Sequence, residues 1–202
     1  MQMRLHQFAR LLGTAWLLSL SLFAEADSWR IDPLHSAAHF SVRHMMISRV
    51  RGEFTGIAGT VLYDSQKPAQ SSIEATIDCG TLNTGVAKRD AQMRGPDFFD
   101  VKLYPVMKFK SKKVEPAGLD KLKMTGDLTI NATTREVVLN VDGPSQTVKD
   151  PRGNERIGLN ATTKFNRKDF GIVWNEIMES GGFTVGDEVS IDLDIELIKN
   201  KK

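Results

Sequence analysis

Three of the chain's four histidines, His35, His39 and His44, fall within ten residues of one another. Imidazoles at that density invite a metal site. The spacing argues against one. On a strand His35 and His39 share a face, yet they stand about 13 Å apart at roughly 3.3 Å per residue. His44 has the opposite parity and points to the other side. A helix would bring positions 35 and 39 together, but Pro33 and the surrounding alternation disfavour it. A nucleophilic triad needs a positioned serine or cysteine, a histidine and an acid. Those residue types occur, but no G-x-S-x-G elbow accompanies them. No G-x-G-x-x-G follows a strand, and no G-x-x-x-x-G-K-[ST] occurs, so no nucleotide site is suggested. His44 shares the face of Phe40 and Val42 and is expected inside the fold, as a polar anchor or a satisfied core histidine.

The elements that would position these residues begin after a leader. MQMRLHQFAR carries two arginines and no acid, an apolar run of 13 residues follows, and Ala24-Glu25-Ala26 ends it as a small-x-small site. This is the three-part pattern of a secretory signal, with cleavage expected after Ala26 and a single domain expected over residues 27–202. Later residues show no second apolar run long enough to span a bilayer. With 27 basic against 25 acidic residues the chain offers no long-range field, so neither a nucleic acid nor a charged membrane surface is expected as a partner. The lone Cys79 cannot make an internal disulfide and reads as a small buried apolar residue.

Period-two alternation dominates the rest. Ala38, Phe40 and Val42 share a face, as do Ile73, Ala75, Ile77 and Cys79, then Met107 and Phe109, then Leu122, Met124, Gly126, Leu128 and Ile130. The chain closes on IDLDIEL, Ile191 to Leu197, which alternates without a fault. Turn chemistry separates the runs, which therefore read as about eight antiparallel strands. Interior glycines at positions 52, 56, 59, 126 and 158 suit strongly coiled strands, so a closed or nearly closed barrel is expected, with a two-sheet sandwich as the alternative. Only Val86 to Pro105 breaks the rhythm. It opens with helix formers, stops at Gly95-Pro96 and carries Phe98-Phe99, as a short helix crossing one mouth of the barrel would. Periodicity alone leaves open whether the apolar inward faces fill the interior or line a cavity for a long apolar molecule.

Several motifs resemble a known family. W-x-I-D-P-x-H-S stands at Trp29 to Ser36, F-S-V-R-H at Phe40 to His44, and V-R-G-E-F at Val50 to Phe54. R-D-A-Q-M-R-G-P-D-F-F-D follows at Arg89 to Asp100, N-R-K-D-F-G at Asn166 to Gly171, and V-G-D-E-V at Val185 to Val189. In this order, over nearly the whole chain after the leader, they resemble the YceI-like, or polyisoprenoid-binding, periplasmic proteins. Two departures stand out: Gln92-Met93 where that family usually shows His-Leu, and Asn131-Ala132 where it usually shows His-Gly.

The resemblance implies an all-β, lipocalin-like antiparallel barrel with a short helix near one mouth. It also implies an exported, periplasmic protein that holds a long isoprenoid, quinone or fatty-amide-like molecule inside. The expected pocket-lining residues are Phe40, Val42, His44, Phe54, Ile77, Phe98, Phe99, Met107, Phe109, Met124, Leu128, Phe165 and Trp174. No catalytic residue, metal or cofactor is expected beyond the bound lipid. The alternative is an enzyme acting on a lipid or quinone, with His44 as acid-base group and Asp90 or Asp97 nearby. A long exposed closing strand could also pair across a homodimer.

Overall fold

The computed structural model describes residues 26–179 and 181–201; the expected leader lies outside them apart from Ala26. Among the described residues the alternating runs form eleven strands in one antiparallel sheet. They are β1 (Asp27–Ile31), β2 (Ala37–His44), β3 (Ser48–Phe54), β4 (Ile57–Tyr63), β5 (Ser72–Asp78), β6 (Val106–Gly118), β7 (Lys121–Ile130), β8 (Thr133–Asp142), β9 (Val148–Lys149), β10 (Glu155–Asn166) and β11 (Val185–Lys199).

β1 and β2 act as two halves of one stave, and β3 and β4 as two halves of the next. β1 pairs with β4 and β2 with β3, while β11 runs along β2 and then β1. The two-residue β9 is an appendage on β10. The rest is a barrel of eight staves. Closure comes from β10 and β11, matched without a shift from Arg156↔Ile198 to Asn166↔Glu188. A two-sheet sandwich would not join its last strands to its first, as this ladder does.

Alternation sets which face turns inward. Along β8, Val137, Leu139 and Val141 are buried while Val138, Asn140 and Asp142 are exposed. Two of the interior glycines answer to packing as well as to curvature. A Cβ on Gly52 would stand 2.5 Å from the ring of Phe40, its cross-strand partner. One on Gly126 would meet the Phe109 ring at the same distance. Aromatic rings cover both glycines.

The segment after β5 takes the place of a missing strand. β3 has no strand on its outer edge; instead Glu53 and Asn83 exchange two backbone hydrogen bonds of 2.9 and 3.0 Å. Helix α1 (Ala87–Met93) follows. The buried Asp90 carboxylate accepts from the Thr84 N–H at 2.9 Å and from its hydroxyl, which pins the helix to the loop before it. A compact turn then carries two aromatic rings into the barrel end. Phe99 meets Phe54 edge-on at 5.3 Å between centroids, and Phe98 lies 5.2 Å from Trp174. The helical segment lies across part of one mouth, the end that also holds the β2–β3 turn and the start of β11.

Candidate ligand-binding cavity

A cavity of about 350 Å³ runs along the barrel axis. Phe40, Val42 and His44 reach it from β2, Phe54 from β3, and Ile77 from β5. Met107 and Phe109 on β6, Met124 and Leu128 on β7, and Phe165 on β10 complete the wall. Phe98 and Phe99 arrive from the closing segment and Trp174 from the stretch before β11.

The pattern of exposure shows that the interior is hollow. In a filled barrel, residues facing the axis would be buried against one another. Here Ile73, Ala75 and Ile77 of β5 face inward and are only half-buried. Phe109, Leu122, Met124 and Leu128 on the two next strands behave alike. These side chains look onto apolar space. Periodicity could not distinguish the two cases, since inward parity is the same in both.

Polar groups gather at the ends. His44, Arg89, Gln92 and Thr184 line the mouth beside α1, and Tyr63, Ser71 and Ser72 line the far end. Among the described residues no carboxylate lines the wall. Arg89 spends its Nε on the Thr84 hydroxyl at 2.8 Å and one terminal nitrogen on the Thr84 carbonyl at 3.0 Å. Burial, with Asp120 and Asp64 nearby, pushes the Tyr63 hydroxyl above its ordinary pKa and keeps it a neutral donor.

Beneath Trp174 lies Arg167, itself buried. It donates to the carbonyls of Ile172 and Trp174, both at 2.8 Å, and of Gly186 at 3.0 Å. Burial lowers its pKa, and Asp187 works the other way. The N-R-K-D-F-G motif is thus a structural device that brings Trp174 to the cavity. Asn166 caps its single helical turn, and Gly171 ends it at a φ of 80°.

The histidine cluster comes apart. His35 meets Asp32 at 3.0 Å on the outside, and His39 stands on the outer face 3.6 Å from Glu53 and 3.3 Å from Asp194. Of these three, His44 alone lines the cavity. A different trio, Asp32, His35 and Glu196, brings donor atoms within 4.8 Å of one another. A cation already serves those acids: Arg156 lies 2.6 Å from Asp32, contacts Glu196, and is 2.8 Å from Asp150. The Asp32 corner, with Ser36 accepting from the Glu196 N–H at 3.0 Å, is a clasp between the first stave and the last two.

The two acids considered as partners of His44 are placed elsewhere. Asp90 is held by Thr84, Asp97 is exposed, and neither lines the cavity. Arg89 is a lining residue that strand periodicity does not reveal, although it stands four positions before Met93 and so shares its helix face. Thr184 and Ser71 lie in irregular backbone, where no period marks them. Asn131 adopts a left-handed φ of 53° in the β7–β8 turn and donates to the Phe98 carbonyl at 2.8 Å. There it steadies the closing segment.

A family model described as the YceI-like domain matches residues 29–197. A UPF0312 protein of Pseudomonas putida (strain W619) is 36% identical over 192 residues, covering 94% of this chain and 95% of that protein. Among solved structures, BcnA of Burkholderia cenocepacia superposes with a TM-score of 0.70 at 26% identity, over 82% of this chain and 98% of that one. A polyisoprenoid binding domain from Saccharophagus degradans reaches a TM-score of 0.61 at 16% identity, over 85% and 98% of the two chains, which is a likeness of fold.

Proposed function

The chain belongs to the YceI-like family, and on that premise we propose that it is an exported lipid-binding protein holding a long isoprenoid, quinone or fatty-amide-like chain inside its barrel. The observation that carries this reading is the axial cavity, whose lining among the described residues is mainly apolar and holds no carboxylate, with polar groups gathered toward its ends. Export to the periplasm rests on the leader pattern of residues 1–26. The fold is one that, in the Saccharophagus protein, carries the description of a polyisoprenoid binding domain.

Hydrophobic sequestration is the mechanism. Each buried CH₂ contributes about 0.8 kcal/mol. Ten carbons therefore offer roughly 8 kcal/mol before the costs of association and ordering. His44, Arg89 and Gln92 can meet an oxygen acceptor at the mouth, but the chain supplies most of the energy. Among the described residues no acid lines the wall beside His44, and its role in this reading is that of a polar contact.

Native mass spectrometry of the purified protein, with and without an added prenyl chain, tests the reading. The parent protein should retain or take up the chain. Phe109→Glu and Met124→Glu should each abolish uptake while the β-sheet circular dichroism persists. Uptake surviving in both folded variants would exclude the interior as the site. His44→Ala should keep most of the affinity.

A further inference from the structure

The β2–β3 turn carries a local cost that its own packing does not repay. It is closed by the Ile47 N–H donating to the His44 carbonyl at 3.1 Å, and its central residues, Met45 and Met46, have φ values of 49° and 61°. Asn and Gly adopt that left-handed region with little penalty; a long side chain does not. Burial of the side chains could offset the cost. Instead Met46 is 67% and Ile47 81% exposed.

A second turn lies alongside. The Met45 N–H donates to the Thr184 carbonyl at 2.7 Å, and Thr184 follows a small hairpin in which Ile177 pairs with Phe183. Ile177 is 81% and Phe183 53% exposed. His44, Thr184 and Val185, directly behind these tips, line the mouth of the cavity. The exposed apolar side chains therefore stand on the rim of the cavity end that His44, Thr184 and Val185 line.

The charges that flank the first tip along β2 and β3 are of one sign, while Asp187 and Glu188 stand in the β11 bulge opposite Arg43. Arg43, Arg49 and Arg51 flank it, and among the described residues none of them pairs with a carboxylate; Arg49 meets only the Ser41 hydroxyl at 3.3 Å. Glu176 and Glu179 belong to the second tip, where Lys168 sits 5.5 Å over the Phe183 ring and pairs with Asp187. At the first tip, apolar side chains flanked by unpaired guanidinium groups match the boundary of an anionic bilayer, where the former enter the acyl region and the latter meet headgroup phosphates.

We propose that the Met45–Ile47 and Ile177–Phe183 tips form a membrane-docking edge that seats the barrel mouth on a bilayer surface containing anionic lipid. The chain then passes between bilayer and cavity without crossing water. This rests on the lipid-chain reading above and adds to it the source of the cargo and the face that meets it. The strained methionines are retained because their flexible side chains insert, not because they hold the fold.

The test is co-sedimentation of the chain from Asp27 onward, which contains every described strand and helix, with phosphatidylcholine vesicles with and without phosphatidylglycerol. The parent should partition at least about tenfold more strongly onto the anionic vesicles than a Met46→Asp/Ile47→Asp variant. Arg49→Glu/Arg51→Glu should remove the preference for phosphatidylglycerol. Both variants should keep the parental circular dichroism and the parental uptake of an apolar fluorophore added from water, because they alter the rim and spare the wall. Equal partition of parent and Met46→Asp/Ile47→Asp would overturn the proposal. So would a parent dimer that this variant converts to monomer, since the tips would then be a contact between two copies. If the parent takes up no fluorophore yet docks as described, the cavity reading fails and the docking edge stands.

Discussion

At Asp32, burial raises the carboxyl pKa, while Arg156, His35 and the Leu34 N–H together outweigh it and bring the pKa from 3.8 down to about 2. Asp150 is likewise held well below its ordinary range, by the Asn154 side chain and then by Arg156. A carboxylate whose folded-state pKa is depressed contributes stability that is complete above its unfolded value and lost as pH falls toward its folded value. The urea midpoint should therefore fall as pH drops from about 3.8 to about 2, and Asp32→Asn should flatten that part of the profile. An unchanged profile in the variant would exclude the clasp as an acid-sensitive tie. Cys79 provides a contrast. Burial pushes its thiol up to about 11, opposed in part by a backbone hydrogen bond from Met107. The thiolate is the nucleophile, so native protein at pH 8 should resist iodoacetamide and label only when urea unfolds it. Rapid native labelling would mean that this end of the barrel opens.

Among the elements, β7 depends on a residue that has no side chain. A Cβ at Gly126 would stand 2.5 Å from the Phe109 ring and 2.6 Å from the Lys110 carbonyl oxygen, and the latter is backbone that cannot step aside. Gly126→Val should therefore destabilise the barrel by roughly 1–3 kcal/mol, as overpacking does in well-filled interiors. Gly158 supplies the comparison. Its nearest neighbour to an added Cβ is 3.9 Å away, so Gly158→Ala should be near neutral in the same denaturation measurement. Equal losses at both sites would point to strand flexibility, and not to close approach, as the reason for these glycines. The closing segment has a different basis. It is held by side chains meeting backbone: Asp90 on the Thr84 N–H, Asn131 on the Phe98 carbonyl, and Arg94 on the Gly80 carbonyl at 3.1 Å. Such ties position a lid over a mouth without a strand ladder.

For the whole molecule, the barrel is closed by hydrogen bonds and left hollow by side-chain volume. Eight staves give an interior that side chains can fill or leave room in, depending on their size. Here the inward faces of β5 to β7 leave room. A ligand held this way should bind more tightly with each added methylene, by about tenfold for every two at about 0.8 kcal/mol each, until its end reaches Tyr63 and Ser71. Titration with a homologous series of alkyl amides, read by thermal shift, should show that rise and then a plateau. Affinity independent of chain length would place binding at the mouth alone.

Strand periodicity and the helix-bearing interruption were legible in faces such as Val137-Leu139-Val141 and in Val86 to Pro105, whereas the helical turn Arg167–Phe170 was not. Parity is a local property: alternate side chains on a pleated strand face opposite ways whatever lies beyond them. The separation of His35 and His39 from His44 follows from parity alone for the same reason. Three matters belonged to the tertiary structure alone. The β10–β11 ladder decided barrel over sandwich, because closure joins residues distant in sequence. The cavity decided hollow over filled, because volume depends on how all eight staves sum. The meeting of Met45 with Thr184 placed two exposed apolar turns on one rim, and no spacing along the chain encodes that contact.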